Sequence, residues 1–249
     1  MNDIRNAPEG ARIIITEEEG VRSLHFGSPW TQGAVRLATP DHIEIEYVQQ
    51  MMMWLLFKPA PRHVVQLGLG AASLTRFCHR HLPDARVTAV ELHASVIDAC
   101  RHHFFLPPDD DRLTVLHGDA MDYVRKAARG SVDIMQVDLY DSEAIGPVLD
   151  SLEFYQACAD SLAPDGVMTV NLFCDYPGHL KSLDTIGQAF EALAWLPEVH
   201  DGNIVAIAFK RAPVVDFDAL YARAAQIQEA MSLPASTWVR GLHAWMQEG

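Results

Sequence analysis

Apolar runs typical of strands alternate with helix-patterned segments from residue 63 onward. The strand-like runs cover residues 63–70, 85–92, 113–119, 132–141, 166–173 and 203–210. The segments with helical spacing cover residues 73–82, 94–104, 120–128, 151–166 and 180–196. The strand-like runs are near-continuously apolar rather than alternating, which indicates that helices cover both faces of the sheet. This order predicts an α/β protein with a Rossmann-like, doubly wound and mostly parallel sheet.

The N-terminal part of the chain has a different pattern. Residues 11–27 contain two strand-like runs around a Glu-Glu-Gly turn, which predicts a β-hairpin. Residues 41–57 have helical spacing, with Asp41 at the predicted N-terminus of the helix and Pro59 beyond its end.

The C-terminal part predicts another helix. Trp238, Leu242 and Trp245 fall on one face of it, and such a stripe favours packing on the sheet or on a partner subunit over ligand binding. The patterns together divide the chain into a hairpin and helix region (1–58), a Rossmann-like domain (59–212) and a helical extension (213–249).

The charge and composition narrow the range of partners. A formal net charge of −14 repels phosphate backbones and anionic lipid, so we expect neither nucleic acid nor a membrane surface as partner. The apolar run at 51–57 is too short to span a bilayer, and the polar N-terminus lacks the apolar core of a signal peptide. The four cysteines are widely spaced, as in proteins with reduced thiols. These features predict a cytoplasmic protein.

Three successive strand ends have the residues of a nucleoside site. Gly68 and Gly70 lie in the first strand–helix turn, where a doubly wound sheet brings backbone N–H groups close to a ligand. Glu91 ends the second strand, where a carboxylate can accept hydrogen bonds from both ribose hydroxyls. Asp119 and Ala120 follow the third strand, and Asp119 is also placed to cap the next helix. Ser73 stands where a dinucleotide site prefers glycine, so the set favours an adenosyl-sulfonium ligand over NAD.

Two carboxylates follow the fourth strand. Asp138 and Asp141 lie three residues apart in the stretch VDLYDSEAIGP, just before Gly146 and Pro147. They are either solvated loop acids, which are common, or a cation site at the carboxyl edge of a switch-point strand, where α/β sheets bind their ligands. On an ideal strand their side chains would face opposite ways, so a shared site requires the chain to leave strand geometry near Leu139.

The histidine-rich segments do not predict a metal site. His79 and His81 are two residues apart on a helix, and His102 and His103 are adjacent, so each pair points to different faces.

The residues after the fourth strand resemble those of the spermidine synthase family, the polyamine aminopropyltransferases. VDLYDSEAIGP is similar to the family's D-x-x-D segment with its following Gly-Pro, and DSLEFYQ and LAPDGVMTV come after it. Upstream, EIEYVQQMM resembles the family's Tyr-Gln-Glu-Met helix. The resemblance covers roughly residues 10–210 and is closest to short bacterial spermidine-synthase-like proteins, whose loop reads GLG. It implies the seven-stranded class I methyltransferase fold with a small N-terminal β-region, and a homodimer.

The resemblance also implies a role for each candidate residue. Asp138 falls on the base that takes the proton from the attacking amine, and Asp141 on a carboxylate that binds an ammonium group. Tyr47 falls on a tyrosine that lines the amine site and orients the nucleophile, and Gln32 on a glutamine that reaches the cosubstrate. The family's nucleoside site corresponds to Gly68, Gly70, Glu91, Asp119 and Ala120.

Two departures from the family leave three functions open: the spacer between Asp141 and Gly146 is longer than the usual one, and the glycine loop has no acid. The authentic synthases have an aspartate in the glycine loop that meets the aminopropyl ammonium, whereas this chain has Gly70, Ala71 and Ala72 there. The leading hypothesis is aminopropyl transfer from decarboxylated S-adenosylmethionine to a polyamine such as putrescine, without a metal. The missing acid favours a methyltransferase that uses S-adenosylmethionine, and the third alternative is a catalytically silent nucleoside- or polyamine-binding homologue. Asp138, Asp141 and Tyr47 favour the first.

Overall fold

A computed structural model describes residues 13–26, 30–140, 148–173, 178–196 and 202–248. The N-terminal strands form a three-stranded antiparallel sheet, made of β1 (Ile14–Glu18), β2 (Val21–His25) and β3 (Thr31–Arg36). The predicted hairpin is β1 and β2, with its turn at Glu19 and Gly20. The third strand, which contains Gln32, was not predicted.

The main sheet has seven strands in the order β6-β5-β4-β7-β8-β10-β9. These are β4 (His63–Leu67), β5 (Arg86–Glu91), β6 (Leu113–His117), β7 (Val132–Val137), β8 (Leu162–Phe173), β9 (Ala192–Trp195) and β10 (Asn203–Phe209). Neighbours from β6 to β8 pair in parallel, and β10 pairs antiparallel with both β8 and β9. The predicted seven-stranded, mostly parallel sheet is confirmed.

Helices cover the sheet on both sides. They are α1 (Glu46–Gln50), α2 (Ser73–His81), α3 (Ala94–His103), α4 (Ala120–Lys126), α5 (Leu152–Ser161), α6 (His179–Ala189), α7 (Phe217–Met231) and α8 (Ala235–Glu248), with a 3₁₀ helix at Met53–Leu56. Val64 pairs with Ile134 toward one buried cluster, and Val65 pairs with Met135 toward the other. Because successive side chains of a strand point to opposite faces, two cores explain the continuous apolar runs.

Strand order reverses at β4, which lies between β5 and β7. At such a switch point the loops after neighbouring strands leave the sheet in opposite directions and open a crevice at the carboxyl edge. The backbone ties these loops together: Gly68 N donates to Val90 O, and Asp138 N donates to Leu67 O, each at 2.9 Å. This edge therefore positions the candidate site.

Two helix predictions were too long at their C-terminal ends. The helix expected over 180–196 ends at Ala189, and residues 192–195 form β9, which pairs with β10 at the edge of the sheet. The helix expected over 151–166 ends at Ser161, and β8 begins at Leu162. In both places pairing with a neighbouring strand overrides a local apolar pattern that fits a helix equally well.

The helix predicted over 41–57 was also wrong at its start. It begins at Glu46 with Ile45 as N-cap, so Asp41 caps nothing, and it gives way to the 3₁₀ helix at Met53–Leu56. That 3₁₀ segment is buried on all sides, so it has no polar face of the kind that an amphipathic helix presents.

The C-terminal helix packs as predicted. Trp238 and Leu242 are buried, and Trp245 meets Trp195 of β9 edge to face with the ring centroids 5.1 Å apart. Among the described residues, Cys78, Cys100 and Cys158 are buried free thiols. Within those same ranges, no helix has the length and apolar character needed to cross a membrane. The division at residues 58 and 212 stays a prediction.

We predict that Asp133→Ala destabilises the fold. The buried Asp133 carboxylate accepts bonds from Arg62 N at 2.7 Å and His63 N at 3.1 Å, and it lies 3.2 Å from Lys58 Nζ. Removing it leaves the two backbone amides without their acceptor and takes one of two carboxylates from Lys58, which still pairs with Asp165. In urea denaturation we expect the free energy of unfolding to fall by about 2–4 kcal/mol.

The matched control is Asp165→Ala, since Asp165 pairs with the same lysine but its side chain is 77% exposed. It should cost less than about 1 kcal/mol. Burial alone would raise the pKa of Asp133, but bonds from the Arg62 and His63 amides and Lys58 hold it below the ordinary value. Its stabilisation is therefore present above the unfolded pKa of about 3.9 and should decline as the pH falls through the lower folded value. Equal losses for both variants would contradict this account.

We predict that Gly68→Ala costs more than a positive φ alone explains. Gly68 has φ +91°, and a Cβ built there would lie 2.1 Å from the carbonyl oxygen of Asp138. At Gly20 the φ is +77° but nothing lies within 4 Å, so Gly20→Ala isolates the backbone penalty of about 1–2 kcal/mol. Overpacking should add about 1–3 kcal/mol at Gly68, measured by urea denaturation. A similar loss at both glycines would show that no close contact exists.

Candidate active site

The Asp138 carboxylate is at the centre of the site, one residue beyond β7. Asn171 Nδ2 donates to its Oδ1 at 2.9 Å, and the Tyr47 hydroxyl donates to its Oδ2 at 3.4 Å. Burial raises the pKa of Asp138, while the bonds from Asn171 and Tyr47 oppose that rise. The result is a partly buried carboxylate with increased proton affinity beside two neutral donors.

Two tyrosines enclose this carboxylate. Burial raises the pKa of Tyr47 well above its ordinary value, and the negative charge of Asp138 adds to the rise. Burial also raises the pKa of Tyr140, whose hydroxyl donates to Asn171 O at 3.2 Å. Both phenols therefore stay neutral at ordinary pH and act as hydrogen-bond donors.

The strand geometry ends where the sequence requires it. β7 stops at Val137, so Asp138, Leu139 and Tyr140 already lie outside the strand. Asp141, Gly146 and Pro147 lie outside the described residues, and the predicted role of Asp141 stays a prediction.

The Glu91 carboxylate faces the glycine loop from the end of β5. Its Oε2 accepts a bond from Leu69 N at 3.0 Å, and its Oε1 accepts one from His93 N at 2.9 Å. Burial raises the pKa of Glu91, and the two backbone bonds oppose the rise. The structure thus brings Glu91 and the turn of Gly68 and Gly70 together, as the nucleoside prediction requires.

Asp119 and Ala120 lie at the start of α4. Asp119 Oδ1 accepts a bond from Asp122 N at 2.9 Å, which confirms the predicted cap. The Ala120 side chain is buried in the core, so Ala120 can reach a ligand through its backbone but not through its side chain.

β3 lies along the glycine loop and brings Gln32 to it. A Cβ at Gly70 would lie 2.9 Å from Gln32 O, and Ser73 Oγ donates to Ala34 O at 3.1 Å. A Cβ at Gly33 would approach Ala71 Cβ to 2.6 Å. The Ala71 side chain therefore faces the β3 backbone, and a carboxylate built at this position would collide with β3.

A buried arginine holds the outer side of the same loop. Arg76 donates to the carbonyl oxygens of Ala71, Pro40 and Phe104, the last two at 3.0 and 2.7 Å. Burial lowers the pKa of Arg76 to about 10. The guanidinium fixes the loop through carbonyl groups.

Sequence reasoning missed several residues of the site. Arg76 and Tyr140 have no distinctive pattern, but Asn171 stands out as a polar residue inside an apolar strand run, and Asn203 begins another such run. Asn171 is 2% exposed. A buried amide in such a run needs hydrogen-bond partners, and that requirement was the available signal. Among the residues that the structure describes, no group of three or more His, Cys, Asp or Glu side chains is arranged to hold a metal ion.

The arrangement fits proton transfer at the carboxyl edge of the sheet. A carboxylate with raised pKa lies next to a neutral phenol, and a second carboxylate at the glycine loop is oriented by backbone amides. Gly68 separates the two halves, because it lies against Asp138 on one side and bonds to the end of β5 on the other. A bound ligand that spans the crevice would meet both carboxylates.

Known proteins with similar sequences and folds agree with this reading. The spermine/spermidine synthase domain profile matches residues 44–217. A polyamine aminopropyltransferase of Chromobacterium violaceum is 33% identical over 238 residues, which are 95% of this chain and 91% of that protein.

The solved structures show the same fold. A probable spermidine synthase from Corynebacterium glutamicum matches with a TM-score of 0.71 at 21% identity, covering 92% of this chain and 88% of that one. Human methyltransferase-like protein 13 in complex with SAH matches with a TM-score of 0.67 at 22% identity, covering 76% and 93%. The predicted class I methyltransferase fold is confirmed, and so is the transferase class. With a domain match over most of its length and a relative at this identity, the chain belongs to the spermine/spermidine synthase family.

Proposed function

We propose that the protein is an aminopropyltransferase that moves an aminopropyl group from decarboxylated S-adenosylmethionine to a polyamine such as putrescine. The observation that supports it best is the position of the Asp138 carboxylate. It accepts a hydrogen bond from Tyr47, and it lies across Gly68 from the side of the crevice where Glu91 meets the glycine loop. The membership of the family agrees with this chemistry.

The reaction is a displacement at carbon. The amine nitrogen attacks the carbon next to the sulfonium, a C–N bond forms, and the C–S bond breaks with its electron pair going to sulfur. The products are the extended polyamine and methylthioadenosine, and the amine proton goes to Asp138. An aliphatic amine has a pKa of about 10 in water, so it must lose a proton before it attacks. A carboxylate whose pKa is raised by burial is a better acceptor for that proton.

The acceptor amine is oriented by neutral and negative groups together. Tyr47 stays protonated, so its hydroxyl presents a dipole to the nucleophile and to Asp138. Asp141, by its place in the family motif, binds the distal ammonium. Fixing both ends of a diamine places the reacting nitrogen in line with the electrophilic carbon.

The donor binds across the other strand ends. Glu91 accepts hydrogen bonds from the ribose, Asp119 and the Ala120 backbone meet the adenine, and Gly68 and Gly70 allow close approach of the backbone. Gln32 reaches the donor from β3.

Methyl transfer from ordinary S-adenosylmethionine is the second candidate. The tail of that donor has a carboxylate, which an acid in the glycine loop would repel. Ala71 presents no charge, and its contact with Gly33 leaves no room for one. A homodimer, a cytoplasmic location and the absence of nucleic-acid or membrane partners stay predictions from the sequence.

We predict amine-dependent release of methylthioadenosine by the purified protein. The protein is incubated with putrescine or spermidine and each donor in turn, and methylthioadenosine and S-adenosylhomocysteine are followed by mass spectrometry. Asp138→Asn should lower turnover about 10²- to 10⁴-fold, because it removes the base. Asp84→Asn changes the charge equally at an exposed turn and should leave the rate unchanged. S-adenosylhomocysteine as the product would establish methyl transfer instead.

We also predict the position of the acid limb of the pH–rate profile. The amine reacts when Asp138 is ionised, and burial raises the pKa of Asp138. The acid limb of kcat/KM should therefore lie above the ordinary aspartate value of about 3.9. Measurement of kcat/KM from about pH 3 to pH 9, with buffers of constant ionic strength, tests this. A limb at or below the ordinary value would exclude Asp138 as a desolvated base.

A further inference from the structure

We propose that Asn171 and Asn203 are positioning residues, which together hold an amide donor against Oδ1 of Asp138 and leave Oδ2 to receive the proton. The inference rests on the proposed function, since it assigns a direction to the proton transfer at the same carboxylate. Neither asparagine touches the reacting atoms, because each acts through Asp138.

The two asparagines form a continuous chain of hydrogen bonds to the carboxylate. Asn203 Nδ2 donates to Asn171 Oδ1 at 2.9 Å, and Asn171 Nδ2 donates to Asp138 Oδ1 at 2.9 Å. Asn171 is 2% exposed, so water competes little for its amide. The chain runs across three adjacent strands of the sheet, from β10 through β8 to the end of β7.

Strand register places these side chains together. Asn171 of β8 pairs with Val205 of β10, and Asn203 lies two residues before Val205. Such diagonal neighbours on one face of an antiparallel pair are within reach of each other's side chains. On the other side, Val170 of β8 pairs in parallel with Val137, which brings the next residues, Asn171 and Asp138, side by side.

The chain of bonds has a fixed direction. An asparagine amide has a donor end and an acceptor end, and rotating it by half a turn exchanges them. Because Asn203 donates to the Asn171 oxygen, the Asn171 NH₂ group must face Asp138. When Asp138 accepts a proton during turnover, its hold on that NH₂ group weakens. The bond from Asn203 then keeps the amide from turning its oxygen toward the carboxylate.

The direction has a chemical consequence at Asp138. A hydrogen bond to an ionised carboxylate stabilises the charged form and so lowers the pKa. Asn171 thereby offsets part of the effect of burial, which keeps Asp138 ionised and able to accept a proton. Oδ1 is held by Asn171 at 2.9 Å, whereas Oδ2 accepts only the longer bond from Tyr47 at 3.4 Å, so Oδ2 is the oxygen left for the amine proton. The Tyr140 hydroxyl, which donates to the Asn171 carbonyl, fixes the strand backbone at the same point.

Among the described residues, the titratable groups that interact with Asp138 are Tyr47 from α1 and Tyr140 from the loop after β7. Both have raised pKa values and remain neutral in acid. A shift of the acid limb therefore reports on Asp138.

The test is a double-mutant cycle with Asn171→Leu, Asn203→Leu and both together. Leucine keeps the approximate shape and removes the amide. Each protein is assayed for kcat/KM against pH, and the pKa of Asp138 is measured in ligand-free protein from the ¹³C carboxyl resonance that Asp138→Asn removes.

Asn171→Leu should move the acid limb and the NMR pKa to higher pH and lower kcat/KM by up to about 100-fold. Asn203→Leu should shift both the same way by less. In the Asn171→Leu background, Asn203→Leu should add nothing, because a residue that acts through Asn171 has no effect once Asn171 is gone.

Thr169→Val is the matched control for lost stability. Thr169 lies two residues before Asn171 on the same face of β8, and its hydroxyl donates to Met51 O at 3.1 Å. Its loss should lower the melting temperature without moving the pKa of Asp138. Additive effects of the two asparagines, or a shift in Thr169→Val equal to theirs, would overturn the proposal.

The two failures are distinguishable. If the wild-type protein shows no turnover, the proposed function is refuted. The NMR titration still decides whether the two asparagines set the pKa of Asp138. If the wild type is active but the pKa of Asp138 is the same in every asparagine variant, only the proposed role of the two asparagines is refuted. If Asn171→Leu does not fold, Asn203→Leu by itself decides, since it leaves Asn171 and its bond in place.

Discussion

The close approach of Gly68 to the Asp138 carbonyl is the constraint on which the rest of the site depends. The ends of β4 and β7 meet there, and no side chain fits between them. The same residue donates its N–H group to the Val90 carbonyl near the end of β5. One glycine therefore sets the distance between the glycine loop and the strand end with the candidate base. Any ligand that spans the crevice is bound by two loops whose separation is already fixed by backbone contact.

Three carboxylates, of which Asp133 and Glu91 are buried and Asp138 is partly buried, illustrate how the fold separates stability from chemistry. Asp133 is surrounded by backbone amides and a lysine, and its pKa falls below the ordinary value. Glu91 and Asp138 have donors too, yet burial prevails and both pKa values rise. At Asp133 the Arg62 amide, the Lys58 ammonium and the His63 amide together outweigh burial, whereas the hydrogen-bond donors that contact the other two carboxylates are uncharged. A carboxylate with amide and phenol neighbours keeps its affinity for protons and for ammonium groups, which is what a polyamine site needs.

The sequence predicts the repeating part of this molecule well and the exceptional part poorly. Continuous apolar runs such as 63–70 specify buried strands, because few other environments accept them. The segment 192–195 fits helix and strand equally, and its pairing with β10, which no local pattern encodes, decides. The same holds in the site. Asp138 and Glu91 are visible as acids at strand ends, but the partners of Asp138 come from α1 and β8, far away in the chain. Asn171 lies beside Asp138 because of the strand register, which a single sequence does not reveal.

The glycine loop lacks an acid because of how it packs against β3. Ala71 is 2% exposed and lies against Gly33, so the two positions are coupled by packing. A carboxylate at position 71 needs space that β3 occupies, and a larger residue at position 33 would displace the loop. Ser73 and Arg76 fix the loop from both sides, to Ala34 and to Pro40 and Phe104. The loop is thus uncharged at this position and is held in place by hydrogen bonds on both sides. In the proposed reaction the loop offers no charge to the donor tail, so selection of that tail falls to charges elsewhere in the crevice, such as Asp138 on the far side of Gly68.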